Sequence, residues 1–296
     1  MTNTLHRDLS FLLILAIIWS SSFTVIKVGT DLLPPTTFAM LRVASGAIVL
    51  FAWLKFRGQK LPREPRLWWS FFLIGLFGNC IPFVLINWGE QEIASGLAAI
   101  LIAAMPLAAL LLGRVFSDEV LNTRRAIGVS IGFAGVVALI GPQELLQLGD
   151  QAMRQIAVAT AAMCYAVAGI LVRKLPVARP SQHGAGVLIA SSLVLIPASM
   201  LADQPWALSY TPEALMASVY LGIFPTALAT ILLIMVISSR GVTFLALNNY
   251  LIPVLGVLWG FLFLDEPITR AVIIALSLIL VGIAIAGSGP TTRKPS

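Results

Sequence analysis

Charged residues are scarce in this chain. Only 11% of its 296 residues are Asp, Glu, Lys or Arg, whereas 58% are hydrophobic and the mean hydropathy is +0.95. A soluble domain carries about 25% charged residues, and charge this sparse cannot cover a surface that faces water. The chain is therefore predicted to lie in a lipid bilayer, where its length accommodates about ten spans of roughly 20 residues each.

Cysteine and histidine are also scarce, with two residues of each. Cys80 and Cys164 lie in apolar runs, which favours small buried hydrophobes over a disulfide or a metal pair. His6 and His183 have no carboxylate beside them, so we expect no enzymatic cluster, no metal and no cofactor. The net charge of +6 lies in loops rather than in a basic patch with interleaved aromatics, which excludes a nucleic-acid partner.

Ten apolar runs bounded by charge, proline and glycine are candidate membrane spans. They cover residues 9–29, 35–55, 67–88, 93–115, 124–141, 152–173, 182–201, 212–238, 242–263 and 268–287. The first run has no small-residue cleavage site, so it is interpreted as a span rather than a cleaved signal peptide. The predicted fold class is an all-α membrane protein with ten transmembrane helices.

Basic residues are concentrated in alternate loops. Most of the 19 Lys and Arg residues fall on the side that carries both termini. The positive-inside rule assigns that side to the cytoplasm. The predicted protein is thus multi-pass, with both termini cytoplasmic.

The sequence contains an internal repeat, because residues 65–135 reappear at residues 212–282 without an insertion. Pro106 recurs as Pro253 and Asp118-Glu119 as Asp265-Glu266, each 147 positions later, while Trp19 pairs with Tyr165 at an offset of 146. Five spans per repeat is an odd number, so the second repeat must enter the membrane upside down. We therefore predict two inverted five-helix repeats, residues 1–146 and 147–296, around a central cavity.

Several short strings, in this order, resemble the EamA-type branch of the drug/metabolite transporter superfamily. They are Ile17-Ile-Trp19-Ser-Ser, Leu41-Arg42, Ala103-Ala-Met-Pro106, Asn248-Asn-Tyr250-Leu-Ile-Pro253, and Gly260 through Glu266 followed by Pro267. The resemblance covers nearly the whole chain. It implies an exporter of amino acids or related metabolites in the bacterial inner membrane, and the ninth span is most similar to that of aromatic and neutral amino-acid exporters.

Four of the prolines inside predicted spans are singled out, and each frees the backbone carbonyl four residues earlier. The prolines are Pro82, Pro106, Pro225 and Pro253, and the carbonyls are those of Gly78, Ile102, Leu221 and Asn249. Kinking prolines are ordinary in membrane helices, and freed groups there are satisfied by protein or cavity water. Pro106 and Pro253 are separated by the repeat offset, and Pro82 and Pro225 lie in equivalent spans of the two repeats. We therefore predict that these prolines act as hinges.

Polar and aromatic side chains in mid-span are candidates for substrate binding, since each needs a partner, water or a ligand. The candidates are Trp19, Ser22, Asn79, Met105, Tyr165, Thr226, Asn248, Asn249 and Tyr250. Asn79 and Thr226 are equivalent positions of the two repeats. The alternative for each candidate is plain helix packing or an interhelical hydrogen bond.

Arg42 is the strongly charged residue deepest inside a predicted span, and its repeat equivalent is Leu188. One interpretation is an anchor for a substrate carboxylate; the other is a side chain that snorkels outward or caps carbonyls of the first span. Glu90 and Glu92 are interpreted as a solvated outer loop, and the alternative is that they guard the exit. No Asp or Glu lies in the middle of a predicted span, so we expect gradient-driven transport without a dedicated proton-relay carboxylate.

Together these features predict a monomeric secondary transporter whose two halves rock to give alternating access. Its partners are a small-molecule substrate and the lipid bilayer. Export of other small amphiphiles, such as purines, sugars or drugs, is the alternative. A channel would need a filter-like loop or a ring of like charges, and the sequence has neither.

Overall fold

The computed structural model describes residues 2–116, 123–140, 150–176, 178–245 and 247–287. Every regular element within those ranges is helical, with no strand among them. The all-α prediction is thereby confirmed. The predicted repeat boundary at 146/147 and the first copy of the acidic pair, Asp118-Glu119, lie outside the described residues.

The described part of the first half is a series of apolar helices. They are α1 (Thr2–Thr30), α2 (Pro35–Phe56), α3 (Pro65–Gly75), α4 (Ile81–Glu90), α5 (Ser95–Ala103), α6 (Met105–Phe116) and α7 (Thr123–Ile140). A π-helical turn, Leu76–Cys80, joins α3 to α4 without a loop. Proline opens α2 and α3, where its missing N–H has no helical partner to lose.

The second half has a similar series. Its helices are α8 (Asp150–Lys174), α9 (Pro180–Ala202), α10 (Pro212–Leu221), α11 (Ala229–Leu245), α12 (Asn248–Leu264) and α13 (Arg270–Gly287). A second π-helical turn, Gly222–Leu228, joins α10 to α11. Asp265 ends α12 with a φ of 53°, a left-handed conformation that Asp tolerates better than most side chains.

Within the described ranges, seven helical stretches are long and apolar enough to cross a membrane. They cover His6–Thr30, Pro35–Phe56, Pro65–Glu90, Ser95–Leu112, Asp150–Lys174, Pro180–Ala202 and Pro212–Ile237, and three shorter apolar helices cover Ala126–Leu139, Asn248–Leu264 and Arg270–Ala286. These segments overlap all ten predicted spans. The total of ten spans and their inverted arrangement remain predictions.

The closest helix pairs join the two halves of the chain rather than neighbours in sequence. Helix α2 packs on α9, α1 and α5 on α12, α4 on α8, and α7 on α13. A space at the centre of the molecule is consequently bounded by both halves.

Two glycines 147 positions apart allow further close approaches between the halves. A Cβ on Gly222 would lie 2.5 Å from the carbonyl oxygen of Arg42 in α2, and a Cβ on Gly75 would lie 3.1 Å from that of Val187 in α9. The same contact thus occurs twice with the halves exchanged. It brings each π-helical turn against a helix of the other half.

Candidate functional site

A cavity of about 560 Å³ lies between the two halves. Nine of the ten predicted substrate-binding residues line it: Trp19, Ser22, Arg42, Asn79, Met105, Tyr165, Thr226, Asn248 and Asn249. The wall is mostly apolar with a few polar groups, which is the composition of a small-molecule site.

Arg42 points into this cavity rather than outward. Its side chain is 6% exposed, its guanidinium carbon lies 3.7 Å from the ring centre of Phe83, and its Nε donates to Thr226 Oγ1 at 3.1 Å. No carboxylate forms an ion pair with Arg42 in the part of the chain that the structure describes. The snorkelling interpretation is therefore wrong, and the cavity contains a cation without a counter-ion.

Thr226 holds the π-helical turn beside Arg42. Its hydroxyl donates to the carbonyl oxygen of Leu221 at 2.8 Å, the group that Pro225 was predicted to free. The carbonyl oxygen of Pro225 accepts a hydrogen bond from Trp19 Nε1 at 3.2 Å. The irregular backbone is satisfied by protein groups around the cavity, as membrane depth requires.

The asparagines differ in how fully they are bonded. Asn79 Nδ2 donates to Ser191 Oγ at 3.1 Å, which matches the packing alternative. Asn248 is 2% exposed, and neither its amide nitrogen nor its amide oxygen has a hydrogen-bond partner among the described residues. Since a buried amide without a partner is costly, Asn248 is the polar group best placed to bind a ligand.

The serine candidate is already satisfied within its own helix. Ser22 Oγ donates to the carbonyl oxygen of Trp19 at 2.6 Å, so its hydroxyl is engaged although the residue lines the cavity. Trp19 and Tyr165 face the same space from the two halves and supply aromatic area.

Three predicted residues lie off the cavity wall. Tyr250 packs against a buried cluster instead, because a helix turns about 100° per residue and Asn248, Asn249, Ile252 and Pro253 already occupy the cavity side. Pro82 follows the first π-helical turn and Pro106 follows the break at Ala104, and neither lines the cavity, whereas Pro225 and Pro253 do. Tyr250 therefore lies off the cavity wall in this structure, and its substrate role stays a prediction.

Glu90 corrects a second interpretation. Glu92 is exposed, as expected of a solvated loop, but Glu90 is the last residue of α4 and is 0% exposed. Neither of its carboxylate oxygens has a hydrogen-bond partner among the described residues. The solvated-loop interpretation is therefore wrong for Glu90, which still lies at the end of α4 and not in the middle of a span.

Comparison with known protein families also divides the chain into two halves. The model of the EamA-like transporter family matches this chain twice, over residues 7–141 and 153–288. The chain belongs to the EamA-like transporter family. The predicted resemblance is confirmed, and the chain is a membrane transporter.

Relatives of this EamA-family chain cover most of its length. It is 27% identical to the uncharacterized inner membrane transporter YedA of Escherichia coli strain K12, over 93% of this chain and 89% of that protein. It is 26% identical to a probable terminal-alkyne amino-acid exporter of Streptantibioticus cattleyicolor, over 96% of this chain and 94% of that protein. A solved crystal structure matches with a TM-score of 0.65 at 25% identity, over 94% of this chain and 97% of the other.

The cavity of this EamA-family transporter extends unequally toward its two ends. At one end, the His183 end, it reaches His183 and Gly184 in the first turns of α9. At the other, the Glu90 end, its wall on α4 stops at Ile86, one turn before Glu90.

Polar contacts between the halves close the Glu90 end. The carboxylate of Glu266 accepts from the backbone N–H groups of Ser95 at 2.6 Å and Gly96 at 3.0 Å, at the N-terminus of α5. Asp203 accepts from the backbone N–H of Thr37 at 2.6 Å and from its hydroxyl at 2.9 Å. Carboxylates at helix N-termini are favourable, so both contacts stabilise the closed end.

Sequence reasoning missed Phe83 and Ile86, and it considered Glu90 only as a solvated loop residue or a guard of the exit. They continue a stripe on one side of the third predicted span, at positions 79, 83, 86 and 90, in which the first three line the cavity. Spacings of three and four residues place side chains on one helix face. That periodicity, traced outward from Asn79, is the signal that finds Glu90.

Proposed function

We propose that this chain is a secondary transporter that exports amino acids or related small metabolites across the bacterial inner membrane by alternating access. The observation that carries the proposal is a central cavity, bounded by both halves, that contains the unpaired cation Arg42 and the unpartnered amide of Asn248. No catalytic step is needed for this activity.

A substrate carboxylate fits Arg42. A guanidinium with free donors binds carboxylates in a bidentate manner, and Thr226 engages only Nε. The substrate amine would meet the amide oxygen of Asn248, and an apolar or aromatic side chain would lie against Trp19 and Tyr165. The exporter from Streptantibioticus cattleyicolor is named for an amino-acid substrate, which supports this substrate class.

Alternating access follows from the architecture that we propose. Two inverted five-helix repeats, residues 1–146 and 147–296, rock about the proline-containing segments Pro82, Pro106, Pro225 and Pro253. Both termini and the His183 end face the cytoplasm, so the substrate enters at the His183 end and leaves at the Glu90 end. The monomer is the working unit.

The driving force in this proposal is the substrate gradient. Among the described residues, no Asp or Glu lines the cavity. A proton therefore has no carboxylate to share with the substrate inside it.

Counterflow in proteoliposomes tests this function. Vesicles loaded with an unlabelled neutral or aromatic amino acid should accumulate the labelled form transiently and saturably. Amino-acid amides, which lack the carboxylate, should compete poorly. Saturable flux of purines, sugars or drugs but of no amino acid would favour the alternative substrates, and no saturable flux of any of these would refute the transporter proposed here.

A further inference from the structure

Glu90 is a buried acid that the proposed transport cycle does not use. Its side chain is completely buried, and both carboxylate oxygens lack a donor among the described residues. An ionised carboxylate without a donor is far more costly to bury than the neutral acid. In the conformation described, the geometry favours a carboxyl that carries a proton.

The cations near Glu90 are engaged elsewhere. Lys27 Nζ in α1 donates to the backbone carbonyl oxygens of Glu90 at 2.7 Å and Gln91 at 3.0 Å, rather than to the carboxylate. Arg154 in α8 donates to the carbonyl oxygen of Trp88 at 2.6 Å and to Gln91 Oε1 at 2.9 Å. Neither forms an ion pair with Glu90 in the described ranges.

Other titratable groups from the elements around α4 complete the surroundings of Glu90. Glu266, after α12, is a second carboxylate near Glu90, and it accepts from the backbone N–H groups of Ser95 and Gly96. Arg42 in α2 is held by Thr226 and Phe83. Tyr165 in α8 donates no hydrogen bond to Glu90 in the described structure.

Glu90 also lies among the contacts that must separate when the Glu90 end of the cavity opens. It continues the cavity-lining stripe of Asn79, Phe83 and Ile86 by one turn, and it lies where Lys27 joins α1 to α4 and Glu266 joins the two halves. Separation of these elements would admit water to the carboxyl.

We propose that Glu90 is a proton-binding site that links closure of the cavity at this end to the pH of the solution there. Closure takes a proton from that solution, and opening returns it to the same side, where Lys27 becomes available to the carboxylate. No proton crosses the membrane, so the substrate gradient remains the driving force. Low pH at the Glu90 end favours the closed conformation, and high pH favours opening.

Accessibility of a cysteine at Ile86 tests the site. The parent carries Cys80→Ala, Cys164→Ala and Ile86→Cys, and an impermeant maleimide is added at the Glu90 end only. Trp206→Cys, in the exposed segment after α9, corrects for the pH dependence of the thiol reaction itself. We expect the corrected labelling rate to rise with pH, by up to about tenfold per pH unit for a single proton.

Glu90→Gln keeps the shape of the neutral acid and removes the titration. It should label slowly at every pH, whereas the control Glu92→Gln, at an exposed neighbour, should behave as the parent. A pH response that persists in Glu90→Gln, or a dependence on sodium at fixed pH in place of the pH response, would overturn the proposal.

The inference rests on the alternating-access part of the proposed function, and parallel counterflow separates the two. Saturable exchange with pH-independent labelling would refute the proton site alone. Absence of exchange would refute the transporter, even if the labelling responds to pH through Glu90.

Discussion

The two halves of the cavity wall occupy equivalent positions but differ in chemistry. Ile86 and Leu233, Met105 and Ile252, and Trp19 and Tyr165 all line the cavity in pairs at the repeat offsets. At two further pairs of equivalent positions on the wall, Arg42 corresponds to Leu188 and Asn249 corresponds to Ile102. The repeated backbone therefore supplies the shape twice, while selectivity is expected from the polar positions that only one half possesses.

The largest effect is expected when Arg42 is replaced by leucine, the residue type at the equivalent position 188. Arg42→Leu removes the one buried cation that we assign to the substrate carboxylate, which should reduce the apparent affinity about 100-fold, since charged hydrogen bonds contribute about 2–3 kcal/mol. Counterflow at graded substrate concentrations measures the change.

Leu188→Met is the matched control for Arg42→Leu, because it alters the equivalent wall position without a charge. It should leave transport within about threefold, as a volume-conserving replacement. Equal losses in the two variants would show that packing, not charge, sets the affinity at these positions.

The next effect concerns Asn248, whose equivalent in the first half is Leu101. Asn248→Leu removes an unpartnered buried amide, so it should weaken substrate binding about tenfold while raising the thermal stability of the substrate-free protein. Binding is followed by substrate-induced shifts of Tm. A stable variant with unchanged affinity would remove Asn248 from the site, and Leu247→Ala, at the exposed neighbour, serves as the control.

A smaller effect is expected for alanine at the two glycines that allow close contact between the halves, Gly222 and Gly75. A Cβ on Gly222 meets the Ser45 hydroxyl and also two backbone atoms, the Arg42 carbonyl oxygen at 2.5 Å and the Gly46 nitrogen at 2.9 Å. Because the backbone atoms cannot rotate away, Gly222→Ala should destabilise by about 1–3 kcal/mol.

The equivalent change, Gly75→Ala, should be milder. The nearest atom there is the Ser191 hydroxyl at 2.5 Å, which can rotate, and the nearest backbone atom is 3.1 Å away. Unfolding in detergent compares the variants, and a greater loss for Gly75→Ala would contradict the ranking.

The smallest effect is expected at Tyr250, which lies off the wall. Tyr250→Phe removes only a hydroxyl outside the cavity, so initial rates of exchange should stay within about twofold. A large loss would mean that Tyr250 reaches the substrate in another conformation of the cycle.

Much of the site was predictable because polar and aromatic residues in mid-span, and the repeat offset, are both visible along the chain. Those two signals found Trp19, Asn79, Tyr165 and Thr226 on the cavity wall. They failed where the direction in which a side chain leaves its helix decides whether it reaches the cavity. Tyr250 was therefore included, although only its neighbour Asn249 lines the wall. They also failed at Glu90, where position near a loop indicated solvent but packing of α4 against neighbouring helices excluded it.

The direction of Arg42 shows a further limit. Its depth in a span follows from the sequence, but a long flexible side chain at that depth reaches either the interface or the interior. A hydrogen bond of 3.1 Å to Thr226, 184 positions later in the chain, holds the Arg42 side chain in the interior.

The sequence by itself determined the lipid environment, the helical class and the doubling of the chain, because composition and periodicity are properties of neighbouring residues. Only the tertiary structure decided which polar groups are left without partners. The side chains of Asn248 and Glu90 have no hydrogen-bond partner among the described residues. Asn79 and Arg42 instead donate to Ser191 and Thr226, which lie on helices distant in sequence. The physical reason is that satisfaction of a buried polar group depends on atoms brought together by packing, which no local pattern records.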